Sequence, residues 1–468
     1  MWERFSYYGM RALLVLFMVD AGRGGLGLDD QTATAIYGLY TAAVYLMALP
    51  GGWLADRLWG AQRAVWLGGL VIALGHFTLA LPWTLTFYLG LVFVIVGSGI
   101  LKPNMSNLVA ELYPEGGARR DAGFTIFYMG VNLGATLGPL ACGWLAQKWG
   151  WHYGFAAAGV GMVLGLAQFR RSRHQLGAAG IKPGDEKPLH RFERVILYGG
   201  TAAALLALAV GLAGGIKINP VRLAHGMAYV ILAIAGLFFS YAFLFARLDA
   251  VEKKRLTMIL ILFIASALFW AGFEQSGSSL NLFAERFTLR NFSGLPCEIP
   301  AAWFQSLNPV FIITFAPVFA WLWVWLARRH LDPSLPVKFG LSLVLVGAGF
   351  FVMVGAAKVV AAGQPAWPTW LIVTYLVHTF GELCLSPVGL SSVTKLAPRR
   401  LIGQLMGIWF LSISLGNLIA GLIAGEFKAE AVQAWPAFYL KITIMPTVAG
   451  VLLILCSRPI QRLMAGVK

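Results

Sequence analysis

Long apolar runs recur through almost the whole chain and limit what it can fold into. A helix needs about 20 residues to cross the hydrocarbon of a bilayer, and we count fourteen apolar runs long enough to be candidates between residues 1 and 457. Charged residues make up 12% of the sequence, whereas a soluble domain carries about 25%. A single core surrounded by water cannot bury so much apolar surface, so the sequence predicts a membrane protein.

The predicted spans are helices rather than strands. Outer-membrane barrels show alternating segments of about 10 residues, and no such pattern recurs here. Helices in a bilayer tolerate the glycines and prolines that interrupt several runs. The fourteen runs cover residues 1–20, 32–56, 64–82, 85–110, 122–147, 152–169, 195–214, 225–246, 256–284, 302–327, 338–357, 368–395, 402–425 and 433–457.

Basic residues are distributed unevenly over the loops between these runs. If the N-terminus is cytoplasmic, one set of loops carries 24 of the 36 Lys and Arg residues and the other set carries 8. Cytoplasmic loops are the basic ones, so we expect both termini on the cytoplasmic side of the inner membrane. This topology, with contact to anionic lipid, accounts for the net charge of +16 without a nucleic-acid partner. Because the chain begins within a run, we also expect the first helix to start upstream of Met1.

The longest polar segments divide the runs into groups of six, two and six. We expect a first bundle at 1–170 with a truncated first helix, a cytoplasmic linker at 171–194, two inserted helices at 195–246, a second linker at 247–255 and a second bundle at 256–468. Two six-helix bundles with substrate held between them are the architecture of the major facilitator superfamily. The predicted fold is therefore an all-α membrane protein of this type with fourteen transmembrane helices.

The segment GGWLADRLWGAQR at the end of the second run resembles the cytoplasmic loop motif of that superfamily. In this interpretation Asp56 and Arg57 are structural residues at the inner face. The alternative is an ordinary helix end, but the spacing and the position in the topology favour the motif.

Charge within a span is costly and is usually functional, and we take six ionisable residues of the predicted spans as candidates for a site. They are Glu3, Arg4, Arg11, Lys102, Glu274 and Glu382. When the two inserted runs are set aside, each half has six runs, and these residues lie in the first and fourth run of each half. Those are the runs expected around a central cavity. Helical spacing predicts two polar faces, one with Arg4, Tyr8 and Arg11 and one with Trp270, Glu274 and Asn281. The alternative for Glu3 and Arg4 is that they reach the cytoplasmic surface.

The predicted cavity is cationic on the wall from the first half and anionic on the wall from the second. A short peptide suits such a cavity, because it has a carboxylate at one end and an ammonium group at the other. Arg4 and Lys102 would bind the carboxylate, and Glu382 with Asn308 would bind the amine. Low dielectric strengthens each of these contacts relative to water.

Two other classes of function have little support. An intramembrane enzyme would need a nucleophile–base or metal set, but His76 and His378 have no HExxH or GxSxG motif nearby. A channel would lack the reciprocal gates that the paired charges suggest. The four cysteines, Cys142, Cys297, Cys384 and Cys456, show no spacing typical of a disulfide framework or zinc site, so we expect no bound metal.

Three sequence blocks resemble the proton-coupled oligopeptide transporters. ERFSYYG is similar to their first-helix motif E-x-x-E-R-F-x-Y-Y-G, with Glu3 as its second glutamate and the first one upstream of Met1. FYMGVNLGATLGP resembles the family signature and GELCLSPVGLSSVTKLAP a third block. The resemblance covers most of the chain, including the two extra helices of bacterial members. It implies proton-driven import of di- and tripeptides by alternating access, with nitrate or another small solute as the alternative.

The resemblance also implies roles for individual residues. The substrate contacts would be Arg4, Tyr8, Tyr45, Lys102, Asn132, Trp270, Asn308, Glu382, Ser386 and Trp409. An external gate would pair Arg11 with Glu274, and an internal gate would pair Lys102 with Glu382. Glu3, Arg4 and Lys102 would handle the coupled proton, with no other cofactor. We expect a monomer.

Overall fold

The computed structural model describes residues 1–113, 117–181, 191–212, 219–292, 298–427 and 431–466. These residues are largely helical, and their one extended pairing is an isolated bridge between Thr288 and Ala366. The helices are α1 (Trp2–Val19), α2 (Asp30–Leu54), α3 (Gly60–Leu79), α4 (Thr84–Glu111), α5 (Gly117–Trp149), α6 (Trp151–Ser172), α7 (Arg191–Leu212), α8 (Pro220–Leu244), α9 (Ala250–Phe273), α10 (Ser279–Phe287), α11 (Leu307–Arg328), α12 (Leu335–Ala361), α13 (Pro368–Leu396), α14 (Ile402–Ala424), α15 (Trp435–Leu455) and α16 (Ser457–Arg462).

Helices overlap each of the predicted apolar runs. Ten helical segments of the described chain are long and apolar enough to cross a membrane, and one of them, Asp30–Leu79, runs through α2 and α3. Helix α1 is outside this set because Glu3, Arg4 and Arg11 lie among its 18 residues. The chain is thus an all-helical protein of the multi-pass membrane type, and the number of helices that cross the bilayer stays a prediction.

The predicted run 256–284 is not one continuous helix. Helix α9 ends at Phe273, a 3-10 turn covers Glu274–Gly277, and α10 begins at Ser279. The side-chain amide of Asn281, which lies on α10, donates to the carbonyl of Ala12 at 2.9 Å, whereas Trp270 and Glu274 border the central cavity. The prediction that these three residues share a face was wrong, because helical spacing holds only along an unbroken helix.

Helices α1 to α6 form one group and helices α9 to α15 a second group. Within them, α1 packs against α5 and α6, and α12 packs against α13 and α15. The two groups meet where α14 crosses α2, and α8 contacts both of these helices. The crossing is close, since a Cβ atom on Gly421 would lie 2.5 Å from the carbonyl oxygen of Thr34. Small residues permit such an approach between membrane helices.

The first part of the predicted linker 171–194 is folded onto α3 and α4. The side-chain amide of Gln62 donates to the carbonyl of Ala179 at 2.7 Å, and the guanidinium of Arg173 donates to the Gln62 side chain at 3.0 Å. The backbone N–H of Gly180 donates to the carboxylate of Glu111. We call this end of the molecule the linker end, and the opposite end, where α1 ends and α2 begins, the α1–α2 end.

The described cysteines Cys142, Cys384 and Cys456 are free thiols. Cys297, which the sequence places in an external loop, lies outside the described residues.

Candidate functional site

A central cavity of about 200 Å³ lies between the two helix groups. Helices α1, α2 and α5 line one side, and α9, α11, α13 and two 3-10 turns line the other. Its polar and aromatic lining residues include Arg4, Tyr8, Arg11, Tyr45, Tyr128, Asn132, Trp270, Phe273, Glu274, Ser276, Gln305, Asn308, Tyr375, His378 and Glu382.

Most of the predicted substrate contacts border this cavity. They are Arg4, Tyr8, Tyr45, Asn132, Trp270, Asn308 and Glu382. Three others do not border it in this conformation. Lys102 borders an adjoining cavity of about 250 Å³, Trp409 is buried with its ring centroid 6.4 Å from that of Phe339, and Ser386 is half-buried on α13. The substrate roles of these three residues stay predictions.

Helix α1 supplies the cationic wall. Arg4, Tyr8 and Arg11 all border the cavity, as their helical spacing predicts. The Glu3 carboxylate lies 3.3 Å from Nε of Arg4, and the Arg11 guanidinium lies 5.4 Å from the centroid of the Tyr8 ring. The two arginines therefore face the same space, each restrained by a neighbour on its own helix.

Arg11 forms an ion pair across the cavity with Glu274. Nη2 of Arg11 lies 2.7 Å from Oε2 of Glu274, and both side chains are less than one-tenth exposed. A buried charge is tolerated when an opposite charge is held close to it. The pair therefore ties α1 to the turn that follows α9, on the side of the cavity nearer the α1–α2 end.

Two more ion pairs join the helix groups at the α1–α2 end. The guanidinium of Arg286 on α10 donates to both carboxylate oxygens of Asp30 on α2, each at 2.7 Å. Arg23, in the loop between α1 and α2, lies 3.4 Å from the carboxylate of Glu285. With the Arg11–Glu274 pair, these contacts hold the two groups together at this end.

The anionic wall is built around Glu382 on α13. The amide of Asn308 donates to Oε2 of Glu382 at 2.9 Å and to the hydroxyl of Thr379 at 3.0 Å. That hydroxyl donates to the carbonyl of Tyr375 at 2.7 Å. A carboxylate has about four acceptor positions, so Asn308 orients Glu382 while using one of them. An ammonium group is the natural ligand for such a carboxylate.

Lys102 is not paired with Glu382 in this structure. Its Nζ lies 3.5 Å from the centroid of the Tyr7 ring and makes no hydrogen bond within the described residues. A cation over an aromatic face gains a cation–π interaction, so Tyr7 partly replaces an acid as its partner. The predicted internal gate pair is not formed here, and its formation in another conformation stays a prediction.

Several cavity residues were not assigned from the sequence. Tyr375 and His378 lie seven and four residues before Glu382 on α13, so helical spacing could have found both. Ser276 and Gln305 lie in 3-10 turns, where that spacing does not apply.

The predicted loop motif lies in a π-helical turn, Ala55–Trp59, directly after α2. Nη2 of Arg57 lies 3.0 Å from the carboxylate of Glu193, in the first turn of α7. The motif thus contacts the first inserted helix. The structural roles of Asp56 and Arg57 stay predictions.

Comparison with known proteins identifies the family. A model described as the POT family matches residues 62–439. The chain belongs to the POT family. The peptide transporter YePEPT of Yersinia enterocolitica is 43% identical to it over 99% of this chain and 93% of that protein. A di-/tripeptide transporter of Lactococcus lactis subsp. cremoris is 37% identical over 100% of this chain and 95% of that protein.

A solved POT-family structure agrees with the fold. A substituted form of peptide transporter POT, in complex with alafosfalin, superposes with a TM-score of 0.91 at 40% identity, over 99% of this chain and 94% of that one. Three predictions are confirmed: the fold is all-helical, the chain belongs to this transporter family, and the protein is not an enzyme.

Proposed function

We propose that this POT-family chain is a proton-coupled symporter that imports di- and tripeptides across the inner membrane. The observation that carries the proposal is the central cavity, where Arg4 and the Glu382–Asn308 pair border one space of about 200 Å³. Pockets for drug-sized ligands have volumes of about 300 Å³ or more, so this smaller cavity suits a small zwitterion. Relatives named as peptide and di-/tripeptide transporters support this substrate class, and their names give no support to nitrate.

The peptide would lie with its carboxylate towards α1 and its ammonium group towards α13. Arg4, Tyr8, Tyr45 and Asn132 would contact the carboxylate end and the backbone. Glu382 and Asn308 would contact the amine, with Trp270 against the side chains. Lys102, Ser386 and Trp409 would join the site when the helix groups move.

Transport would proceed by alternating access between the two helix groups. The Arg11–Glu274 pair, formed at 2.7 Å, would be the external gate, and Lys102 with Glu382 would form the internal gate in the opposite state. We place the α1–α2 end outside the cell because the basic loops lie at the other end. The proposed architecture has fourteen spans as six, two and six helices, both termini in the cytoplasm, and one chain as the working unit.

Proton coupling would involve Glu3, Arg4 and Lys102. The Glu3 carboxylate lies 3.3 Å from Nε of Arg4, and all three residues border the adjoining cavity. Protonation of Glu3 would remove a negative charge beside two cations, and would change how firmly each cation holds a peptide carboxylate.

Uptake in liposomes tests the proposal. The purified chain is reconstituted, and uptake of labelled alanyl-alanine is measured with and without an inward proton gradient. We expect accumulation only with the gradient, competition by unlabelled di- and tripeptides, and no competition by nitrate. Uptake that is indifferent to the gradient would remove the symport mechanism. Competition by nitrate but not by peptides would overturn the substrate class.

A further inference from the structure

His378 borders the central cavity one helical turn before Glu382. Its side chain is 2% exposed, and the contacts proposed above leave its ring without a role. A buried polar group is costly unless it is hydrogen-bonded. The two ring nitrogens of His378 therefore need polar partners.

One edge of the ring lies against α12. Nε2 of His378 is 3.1 Å from the carbonyl oxygen of Val346, and a Cβ atom at Gly349 would collide with Cδ2 and Nε2. The absence of a side chain at Gly349 lets this edge pack on the backbone of α12. Because Nδ1 and Cε1 lie on the opposite edge of an imidazole from Cδ2, Nδ1 is directed away from α12. Since His378 borders the cavity, Nδ1 is the ring nitrogen that can face it.

Aromatic rings hold the imidazole in this orientation. The centroid of the Phe350 ring lies 4.8 Å from that of His378, and the Phe273 ring lies 6.5 Å away on the cavity side. Turning the ring over would break the bond to Val346 and push Nδ1 against the α12 backbone. The geometry therefore fixes which nitrogen faces the cavity.

The bond to α12 also fixes the role of each nitrogen. A carbonyl oxygen can only accept, so Nε2 must carry the proton that it donates to Val346. In the neutral imidazole Nδ1 is then an acceptor. His378 thus offers the cavity a fixed acceptor within one helical turn of the Glu382 carboxylate, since residues four apart are neighbours on a helix.

We propose that His378 is a substrate-contacting residue that determines specificity for a primary amine. Its Nδ1 accepts one N–H of the peptide ammonium group while Glu382 accepts another. This inference rests on the proposed function, because it requires the peptide amine to bind at Glu382. A primary ammonium group has three N–H donors and satisfies both acceptors, whereas a dimethylated amine keeps the positive charge but has one donor.

Two ligands of equal charge test the proposal. Apparent affinities of alanyl-alanine and N,N-dimethyl-alanyl-alanine are measured by counterflow competition at one fixed pH. A hydrogen bond to a charged group contributes about tenfold or more in affinity, so the wild type should prefer the primary amine by at least about that factor. In His378→Phe, which keeps the ring packing without nitrogens, most of the preference should disappear. An unchanged preference in that variant overturns the inference.

Two further variants decide the matter if His378→Phe does not fold. Asparagine places its amide near the position of Nδ1, and glutamine places its amide near Nε2. His378→Asn should keep part of the preference, and His378→Gln, which can still reach Val346, should lose it. The reverse order would overturn the inference. A merely structural role predicts equal loss of affinity for both ligands, with no change in their ratio.

The proposed function has separate controls. If the wild type fails to bind alanyl-alanine, or if Glu382→Gln leaves the preference for a free amine over N-acetyl-alanyl-alanine intact, the proposed amine site is wrong. If both controls hold and His378→Phe keeps its preference for the primary amine, the inference about His378 alone fails.

Discussion

At the scale of single residues, the charges near the cavity are held by partners of more than one kind. Glu3 lies beside Arg4, Arg11 pairs with Glu274, Lys102 rests on the Tyr7 ring, and Glu382 accepts from Asn308. Of these four contacts, only Arg11–Glu274 is an enclosed pair of opposite charges from the two helix groups. The Glu382 carboxylate has a neutral donor instead, which leaves its charge available to a cationic ligand.

We expect Glu382→Gln to abolish uptake of peptides with a free amine. The glutamine has similar shape but no charge, so the ammonium group would lose its ionic partner. N-acetylated peptides should lose much less, since they have no ammonium group to pair. The measurement is competition against labelled alanyl-alanine by both ligand types. Equal losses for the two types would contradict an amine-binding role.

We expect charge reversal at Arg11 and Glu274 to be rescued when both are reversed. Each single reversal places two like charges in an enclosed site, and breaking a buried pair costs about 3–5 kcal/mol. Arg11→Glu with Glu274→Arg restores opposite charges across the same contact. Initial uptake rates and the amount of folded protein are measured for all three variants. A double variant no better than the singles would show that the pair is not a gate.

At the scale of elements, the sequence predicts helices well and their interruptions poorly. Apolar length identifies α9, but the change to a 3-10 turn at Glu274 depends on tertiary contacts, and Asn281 is misassigned as a result. The residues of the site follow the same rule. Arg4 and Arg11 lie on the unbroken α1 and are found from spacing, whereas Gln305 lies in a turn. The partner of Lys102 depends on the conformational state, which composition and spacing do not encode.

The crossing of α2 and α14 should depend on Gly421. A methyl group there would lie 2.5 Å from the carbonyl oxygen of Thr34, and overpacking costs about 1–3 kcal/mol. We therefore expect Gly421→Ala to lower the thermal unfolding temperature in detergent. On the same helix, a Cβ atom on Gly403 would have no neighbour within 4 Å, so Gly403→Ala should leave stability unchanged or improved. Equal effects of the two substitutions would count against close packing.

The bidentate contact between Arg286 and Asp30 should help to close the α1–α2 end. A cysteine at Gln305, in a chain lacking the native cysteines, reports access to the cavity through its labelling by an impermeant thiol reagent. Arg286→Gln removes a charge-assisted contact that favours closure of this end. If the loss shifts the equilibrium between the closed and open states by about 1 kcal/mol, the open population rises about fivefold. Labelling from outside should therefore accelerate by about that factor.

Lys441→Gln is the matched control for that experiment. The pair of Lys441 with Glu426 measures 2.8 Å but is more than half exposed and lies within the second helix group. Exposed pairs contribute little, so labelling at position 305 should not change. Acceleration in both variants, or in neither, would mean that the Arg286–Asp30 contact does not control closure.

At the scale of the whole molecule, the structure shows one state of a proposed two-state carrier. The helix groups are tied at the α1–α2 end by three ion pairs. Lys102, in contrast, lies over the Tyr7 and Tyr45 rings, 3.5 Å and 5.7 Å from their centroids, and makes no hydrogen bond within the described residues. The opposite state must break those pairs and supply others at the linker end. A ligand or proton can drive this change only by binding the two states with different affinity. Lys102 can supply such a difference, because its ammonium group has no hydrogen-bonded acid among the described residues in this state, whereas a pair with Glu382 is proposed in the other.

We therefore expect Lys102→Ala to lose uphill transport. Without the ammonium group, protonation of Glu3 can change the hold on a peptide carboxylate only through Arg4, and the pair with Glu382 cannot form. Exchange of peptide for peptide should survive in part, because it needs no return of the empty carrier. Accumulation under a proton gradient and counterflow are measured in the same vesicles. A Lys102→Ala protein that still concentrates alanyl-alanine would overturn this coupling mechanism, although the assignment as a peptide transporter would stand.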